Sequence, residues 1–100
     1  MLSRPVARLG DRGVPHCSGF SIAQGSPTVF ANLKPVARLG DISTPHLKPG
    51  PGKPPCSPHV APIIRGSATV FVNLKPIARV GDGLAGCTFV ATGSPTVFAG

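Results

Sequence analysis

The sequence predicts an all-β protein with pseudo-threefold symmetry, and three observations carry that expectation. Pro5-Val6-Ala7-Arg8-Leu9-Gly10-Asp11 recurs unchanged from Pro35 to Asp41 and again, with Ile and Val replacing two apolar residues, from Pro76 to Asp82. A second motif interleaves with it: Gly25-Ser26-Pro27-Thr28-Val29-Phe30, then Gly66-Ser67-Ala68-Thr69-Val70-Phe71, then Gly93-Ser94-Pro95-Thr96-Val97-Phe98. The 13 Gly and 13 Pro punctuate the chain too densely for long helices, and the apolar spacing never settles on a helical period. Such repetition means one supersecondary unit used three times.

Taken in order, Thr28 to Asn32 and Pro35 to Leu39 are two short strand-like runs a few residues apart, which is a hairpin signal, and the pair recurs from Thr69 to Val80. The connecting Asn32-Leu33 and Asn73-Leu74 are not the Asn-Gly of a favoured hairpin turn, because Leu resists positive φ, so the turn type stays open. The chain begins with an orphan second half, Pro5 to Asp11, and ends with an orphan first half, Ser94 to Gly100. A closed ring pairs Thr96-Val97-Phe98 with Val6-Ala7-Arg8 and leaves no exposed edge, which a linear array would.

Connectors of unequal length join the motifs: 13–24, 42–65 and 83–92. The middle one carries seven prolines, and proline forbids helix and central strand in most of those positions. It reads as a stiff, extended excursion rather than part of the repeat.

One hundred residues make one small domain, 1–100, with a modest core that calls for a staple or a partner. Met1-Leu2-Ser3-Arg4-Pro5 has no apolar stretch behind it, so neither a secretory signal nor a membrane span is expected, and synthesis is expected in the cytoplasm. Three cysteines do not read as a disulfide framework, which leaves metal ligation or buried thiols. The net charge of +7 comes from ten Lys and Arg against three Asp. Many of those cations are repeat positions, Arg8, Arg38, Arg79, Lys34 and Lys75, and no Trp or Tyr is present to stack on bases. A solvated or partner-facing basic surface is therefore expected, not a nucleic-acid interface.

Five residues after each repeat aspartate stands a zinc-ligand type: His16 after Asp11, His46 after Asp41 and Cys87 after Asp82. A threefold relation between the repeats would bring the three side chains together on the axis. His59, in the long connector, is the remaining histidine and supplies a fourth ligand, closing a tetrahedral site of three imidazoles and one thiolate. Cys17 beside His16, and Cys56 of Cys56-Ser57-Pro58-His59, compete for a place; Cys87 ranks above both because it holds the repeat-equivalent position. One structural Zn2+ per chain would contribute folding free energy, on the order of 10 kcal/mol in isolated zinc domains. Catalysis is not expected. The chain has no Glu, and its aspartates sit in Gly-Asp turns, where they bond nearby backbone rather than act as bases.

With these repeats in view, the chain resembles the PAAR-repeat family along essentially its whole length, through the three Pro-to-Asp motifs, the Gly-Ser-x-Thr-Val-Phe strands and the His/Cys set. The resemblance implies a small cone of three β-faces with a metal, usually zinc, held by three His and one Cys near its point. It also implies a triangular base seated on a trimeric β-helical spike, as in type VI secretion systems and contractile phage tails. One chain per spike trimer would concentrate contraction force on the target envelope, meeting the membrane only during puncture, so the protein would be delivered outside the cell or carried on a virion tail. The chain departs from the family pattern in carrying Val6, Val36 and Ile77 for the first alanine of the name, and Asn-Leu for the usual Asn-Gly turn. Relatives often carry toxin extensions; here a bare tip is expected, with any effector travelling separately. The competing functions are a zinc-stabilised adaptor for another partner and a basic surface that binds anionic polymers.

Overall fold

Every regular element among the described residues of the computed structural model, 3–49 and 56–100, is a strand. Eight short strands pair into four two-stranded antiparallel sheets. The strands are β1 (Arg4–Pro5), β2 (Phe30–Ala31), β3 (Lys34–Pro35), β4 (His46–Pro49), β5 (Cys56–His59), β6 (Phe71–Val72), β7 (Lys75–Pro76) and β8 (Phe98–Ala99). β2 pairs with β3 and β6 with β7, as the motif order predicts. β8 pairs with β1 from the other end of the sequence, Arg4 opposite Ala99 and Pro5 opposite Phe98, and the Val6 N–H extends the contact by donating to the Val97 carbonyl at 2.9 Å. The two orphan halves therefore complete a third hairpin, and the ring closes.

The turn left open by the sequence is type I′. Asn32 and Leu33 have φ of 55° and 66°, and Asn73 and Leu74 have 52° and 65°. Leucine accepts the left-handed conformation at a cost of about 1–2 kcal/mol.

After each motif proline the strand leaves its hairpin partner and turns to the neighbouring repeats, which is why the regular strands are only two residues long. Arg8 stands opposite Val36, Arg38 opposite Ile77, and Arg79 opposite Val6. At the centre the Ala7 N–H donates to the Ala78 carbonyl (2.9 Å), Ala78 to Ala37 (2.9 Å) and Ala37 to Ala7 (2.8 Å), a closed circle of hydrogen bonds through three fully buried alanines. Side chains alternate across an extended chain. Val6, Val36 and Ile77 accordingly join Ala31, Val72 and Ala99 in a cluster among the hairpins, while Ala7, Ala37 and Ala78 join Phe20, Ile22, Ala61, Ile63, Leu84 and Val90 in another. A second threefold tier continues the stack: Ile22 opposite Ser43, Ile63 opposite Leu84, and Val90 opposite Gly13.

The repeat arginines are not a solvated basic surface, contrary to the sequence expectation. Arg8 reaches Asp11 with Nε (2.9 Å) and Nη2 (3.1 Å), Arg38 reaches Asp41 (3.0 and 2.9 Å), and Arg79 reaches Asp82 (3.1 and 3.1 Å). Each Asp also accepts its arginine's backbone N–H at 2.8 Å, across a turn whose glycine (Gly10, Gly40 or Gly81) has φ near 90°. The guanidinium is buried because the fork that binds it is built into the same Arg-x-Gly-Asp turn. Hydrogen bonding to the carboxylate raises the pKa of Arg8 and Arg38 against the opposing effect of burial.

A polar belt joins the hairpins. Ser26, Ser67 and Ser94, each 1% exposed, accept two backbone N–H groups from the residues that follow, which explains the Gly-Ser-x-Thr motif. Their hydroxyls then donate to the next hairpin: Ser26 to Asn73 Oδ1 (2.6 Å), Ser94 to Asn32 Oδ1, and Ser67 to the Gly100 carbonyl. Arg8 and Arg38 donate to the same Asn32 and Asn73 oxygens, at 3.0 and 3.1 Å. No buried side-chain polar atom among the described residues lacks a partner.

The long connector folds back on itself as the β4–β5 hairpin, with His46 opposite His59 and Lys48 opposite Ser57. Two strands are two edges, so its prolines meet no ladder that they would break. No helix of the described residues is long and apolar enough to cross a membrane.

Candidate metal centre

Threefold stacking delivers the residues five after each aspartate to one place. His16 follows the Asp11 turn, Cys87 follows the Asp82 turn, and His46 opens β4, held by the Thr44 N–H donating to the Ser21 carbonyl (2.8 Å) and the Leu47 N–H to Ser18 Oγ (2.9 Å). His59 closes β5 and faces His46 across the hairpin. The excursion thus folds a fourth donor over the three that the repeats supply.

The four donor atoms, three imidazole nitrogens and the Cys87 sulfur, all lie within 4.8 Å of one another. His16 Nε2 is 3.2 Å from His46 Nε2 and 2.9 Å from Cys87 Sγ; His46 Nε2 is 3.3 Å from Cys87 Sγ and 2.7 Å from His59 Nε2. Tetrahedral zinc bound to nitrogen and sulfur sets edges of about 3.3 Å between nitrogens and about 3.5 Å between nitrogen and sulfur. The cluster is of that size, and its composition suits a borderline-soft divalent ion.

His46 is pre-oriented. Its Nδ1 lies 2.9 Å from the Thr44 carbonyl, so that nitrogen carries the proton, and the Nε2 lone pair points into the cluster. The ring also stacks on Phe20, centroids 4.1 Å apart and planes 18° from parallel. Phe20 has that place because Gly13 opens it: a Cβ on Gly13 would come within 1.9 Å of the Phe20 ring. In the same tier the other repeats put Ser43 and Leu84 where Gly13 stands.

The His16 and His59 imidazoles favour the neutral form that a metal needs. Burial first, then the nearby His46 and Lys48, lowers the pKa of His16 below its ordinary value, and burial with His46, Lys48 and His16 does the same for His59.

All four residues singled out from the sequence meet here. The competing Cys17 does not join them: it is disulfide-bonded, against the expectation of a metal-ligating or buried thiol, and its side chain is exposed, whereas Cys87 keeps a free thiol inside the cluster. The side chain of Cys56 lies outside the described residues. Phe20 and the Thr44 carbonyl were not singled out beforehand; the one sequence signal for Phe20 is a glycine, Gly13, breaking an otherwise filled repeat position.

A family profile described as the PAAR motif matches residues 1–44 and 54–100. The chain belongs to the PAAR-motif family. No curated protein matches it. Both matched segments carry ligand candidates, His16 in the first with His46 just beyond it, and His59 and Cys87 in the second. The two matched segments together span all three Pro-to-Asp motifs, 5–11 and 35–41 in the first and 76–82 in the second.

Proposed function

We propose that this PAAR protein is a structural tip: one chain caps the end of a trimeric β-helical spike in a contractile injection machine and sharpens it for puncture of a target envelope. The observation that carries this reading is the circle of hydrogen bonds through Ala7, Ala37 and Ala78, which gives a single chain three equivalent hairpins around one axis. A threefold-symmetric partner presents three equivalent open strand ends, and a pseudo-threefold monomer is the smallest object that satisfies all three at once. Family membership supports the same reading.

In this proposal His16, His46, His59 and Cys87 hold one Zn2+. The ion would supply a four-coordinate crosslink with no open position, and so no hydrolytic water. The chain's own residues do the rest. Phe20 packs behind His46, the Thr44 carbonyl fixes its tautomer, and the β4–β5 hairpin carries His59 over the pole. The crosslink joins segments distant in sequence and opposes local opening under load.

Mixing the purified chain with the purified spike trimer and weighing the complex by sedimentation tests the assignment. One chain per trimer is the expected stoichiometry; no association, or three chains per trimer, contradicts a capping role.

A further inference from the structure

Leu33 and Leu74 project almost wholly into solvent, 95% and 97% exposed, from turn positions with φ of 66° and 65°. Among the described residues they are the most exposed large apolar side chains. Glycine would remove the steric cost of the left-handed backbone, and asparagine would tolerate it. An exposed, strained apolar residue repeated in two hairpins is a feature that folding does not require.

The surroundings define what these leucines would meet. Phe30, Phe71 and Phe98 are 55%, 56% and 53% exposed, one per hairpin, so the apolar exposure follows the threefold. Lys34 and Lys75 follow the two leucines and are exposed, and Arg4 holds the equivalent place in the third hairpin, opposite Ala99. No carboxylate side chain offsets Lys34 or Lys75, whereas Arg4 reaches Asp82 at 3.4 Å. The chain has three Asp and no Glu, and Asp11, Asp41 and Asp82 are 5%, 3% and 1% exposed, each paired with its arginine.

We propose that Leu33 and Leu74 are the anchors that select the spike. The occupant of the hairpin surface is then the end of a trimer bearing apolar sockets ringed by carboxylates, repeated three times. This rests on the capping role and names the chemistry of the partner. Apolar anchors inside a charged rim are the usual anatomy of a specific interface, and Lys34 and Lys75 supply the rim on this side. In the hairpin of β8 and β1, Ser3 precedes Arg4 where Leu33 and Leu74 precede Lys34 and Lys75, so two of the trimer's three sockets receive a leucine.

The test compares binding of the spike trimer by the full-length protein with that of Leu33→Gly/Leu74→Gly and Leu33→Asn/Leu74→Asn. Both double variants relieve backbone strain, so a purely structural role predicts an equal or higher melting temperature with unchanged affinity. The anchor role predicts equal or higher melting temperature together with affinity lower by about tenfold for each leucine, and slower association as salt rises. Unchanged affinity in both variants overturns the anchor role and leaves the capping role standing. Association indifferent to salt overturns the carboxylate rim. Failure of the unaltered protein to bind the trimer removes the capping role and the anchors with it.

Discussion

His46 stands directly opposite His59 in the β4–β5 register, and their Nε2 atoms are 2.7 Å apart. One of these residues belongs to the repeat pattern and the other to the proline-rich excursion, so the hairpin exists at the point where the two meet. Removing His59 leaves the threefold intact and takes one donor from the cluster. His59→Ala should retain the fold in metal-saturated buffer and weaken zinc affinity by more than about 100-fold, beyond what loss of an outer-shell partner costs. Competition with a chromophoric chelator measures it, and an affinity equal to that of the unaltered protein would exclude His59 from the site.

Acid should release the metal and, separately, weaken the metal-free fold. His16 and His59 titrate below the ordinary value of 6.5 in the folded protein, so between that value and their lowered pKa the unfolded chain binds more protons. Stability of the chelated protein is therefore fully present above pH 6.5 and lost as pH falls through the lowered pKa. Thermal melts of chelated protein from pH 8 to pH 5 should be level at first and then decline; a rise towards acid would contradict the partly buried, neutral imidazoles of His16 and His59.

Asp82 carries two guanidinium partners, the buried Arg79 and the half-buried Arg4 at 3.4 Å. Asp82→Asn leaves the Arg79 charge buried without its counter-ion and should cost about 3–5 kcal/mol in chemical denaturation. Arg4→Ala removes the more exposed partner only and should cost less than about 1 kcal/mol. Equal losses in the two variants would show that burial does not set the scale.

Asn73 collects Ser26 and Arg38 on one oxygen and donates its amide to Thr28 at 2.9 Å, tying two hairpins together. Asn73→Ala leaves the buried Ser26 hydroxyl without its acceptor and removes a residue suited to positive φ. The expected loss is about 1–3 kcal/mol, read from urea unfolding, and a neutral result would mean that the polar belt contributes nothing to closure.

Gly13 and Phe20 share one volume. Gly13→Ala should displace the Phe20 ring, cost about 1–3 kcal/mol, and loosen His46 enough to weaken metal binding. Adding Phe20→Ala opens the space again, so the double variant should be less destabilised than the sum of the singles. Strict additivity would show that the two positions are independent.

The ring, the third hairpin and the convergence of His16, His46 and Cys87 were legible because a repeat converts sequence register into position. Residues at one offset after Asp11, Asp41 and Asp82 must occupy equivalent places once the chain closes. What register could not show were interactions between unlike parts. The pairing of Arg8 with Asp11 looks, in sequence, like a basic residue near an acidic one; only the Arg-x-Gly-Asp turn makes it a buried fork. The type I′ turn at Asn32-Leu33 ran against the preference of leucine, because the bonds of Asn32 to Arg8 and Ser94 hold the turn in place. The β4–β5 hairpin was hidden by proline, whose cost vanishes when both strands are edges. The disulfide at Cys17 left no signal in an odd count of cysteines.

Elemental analysis of the purified protein, with Cys87→Ser measured beside it, tests most directly the claim that the repeats converge on a single metal. One zinc per chain in the unaltered protein, weakened or lost in the variant, is the expected result. No zinc, or zinc indifferent to Cys87, would contradict convergence at this pole.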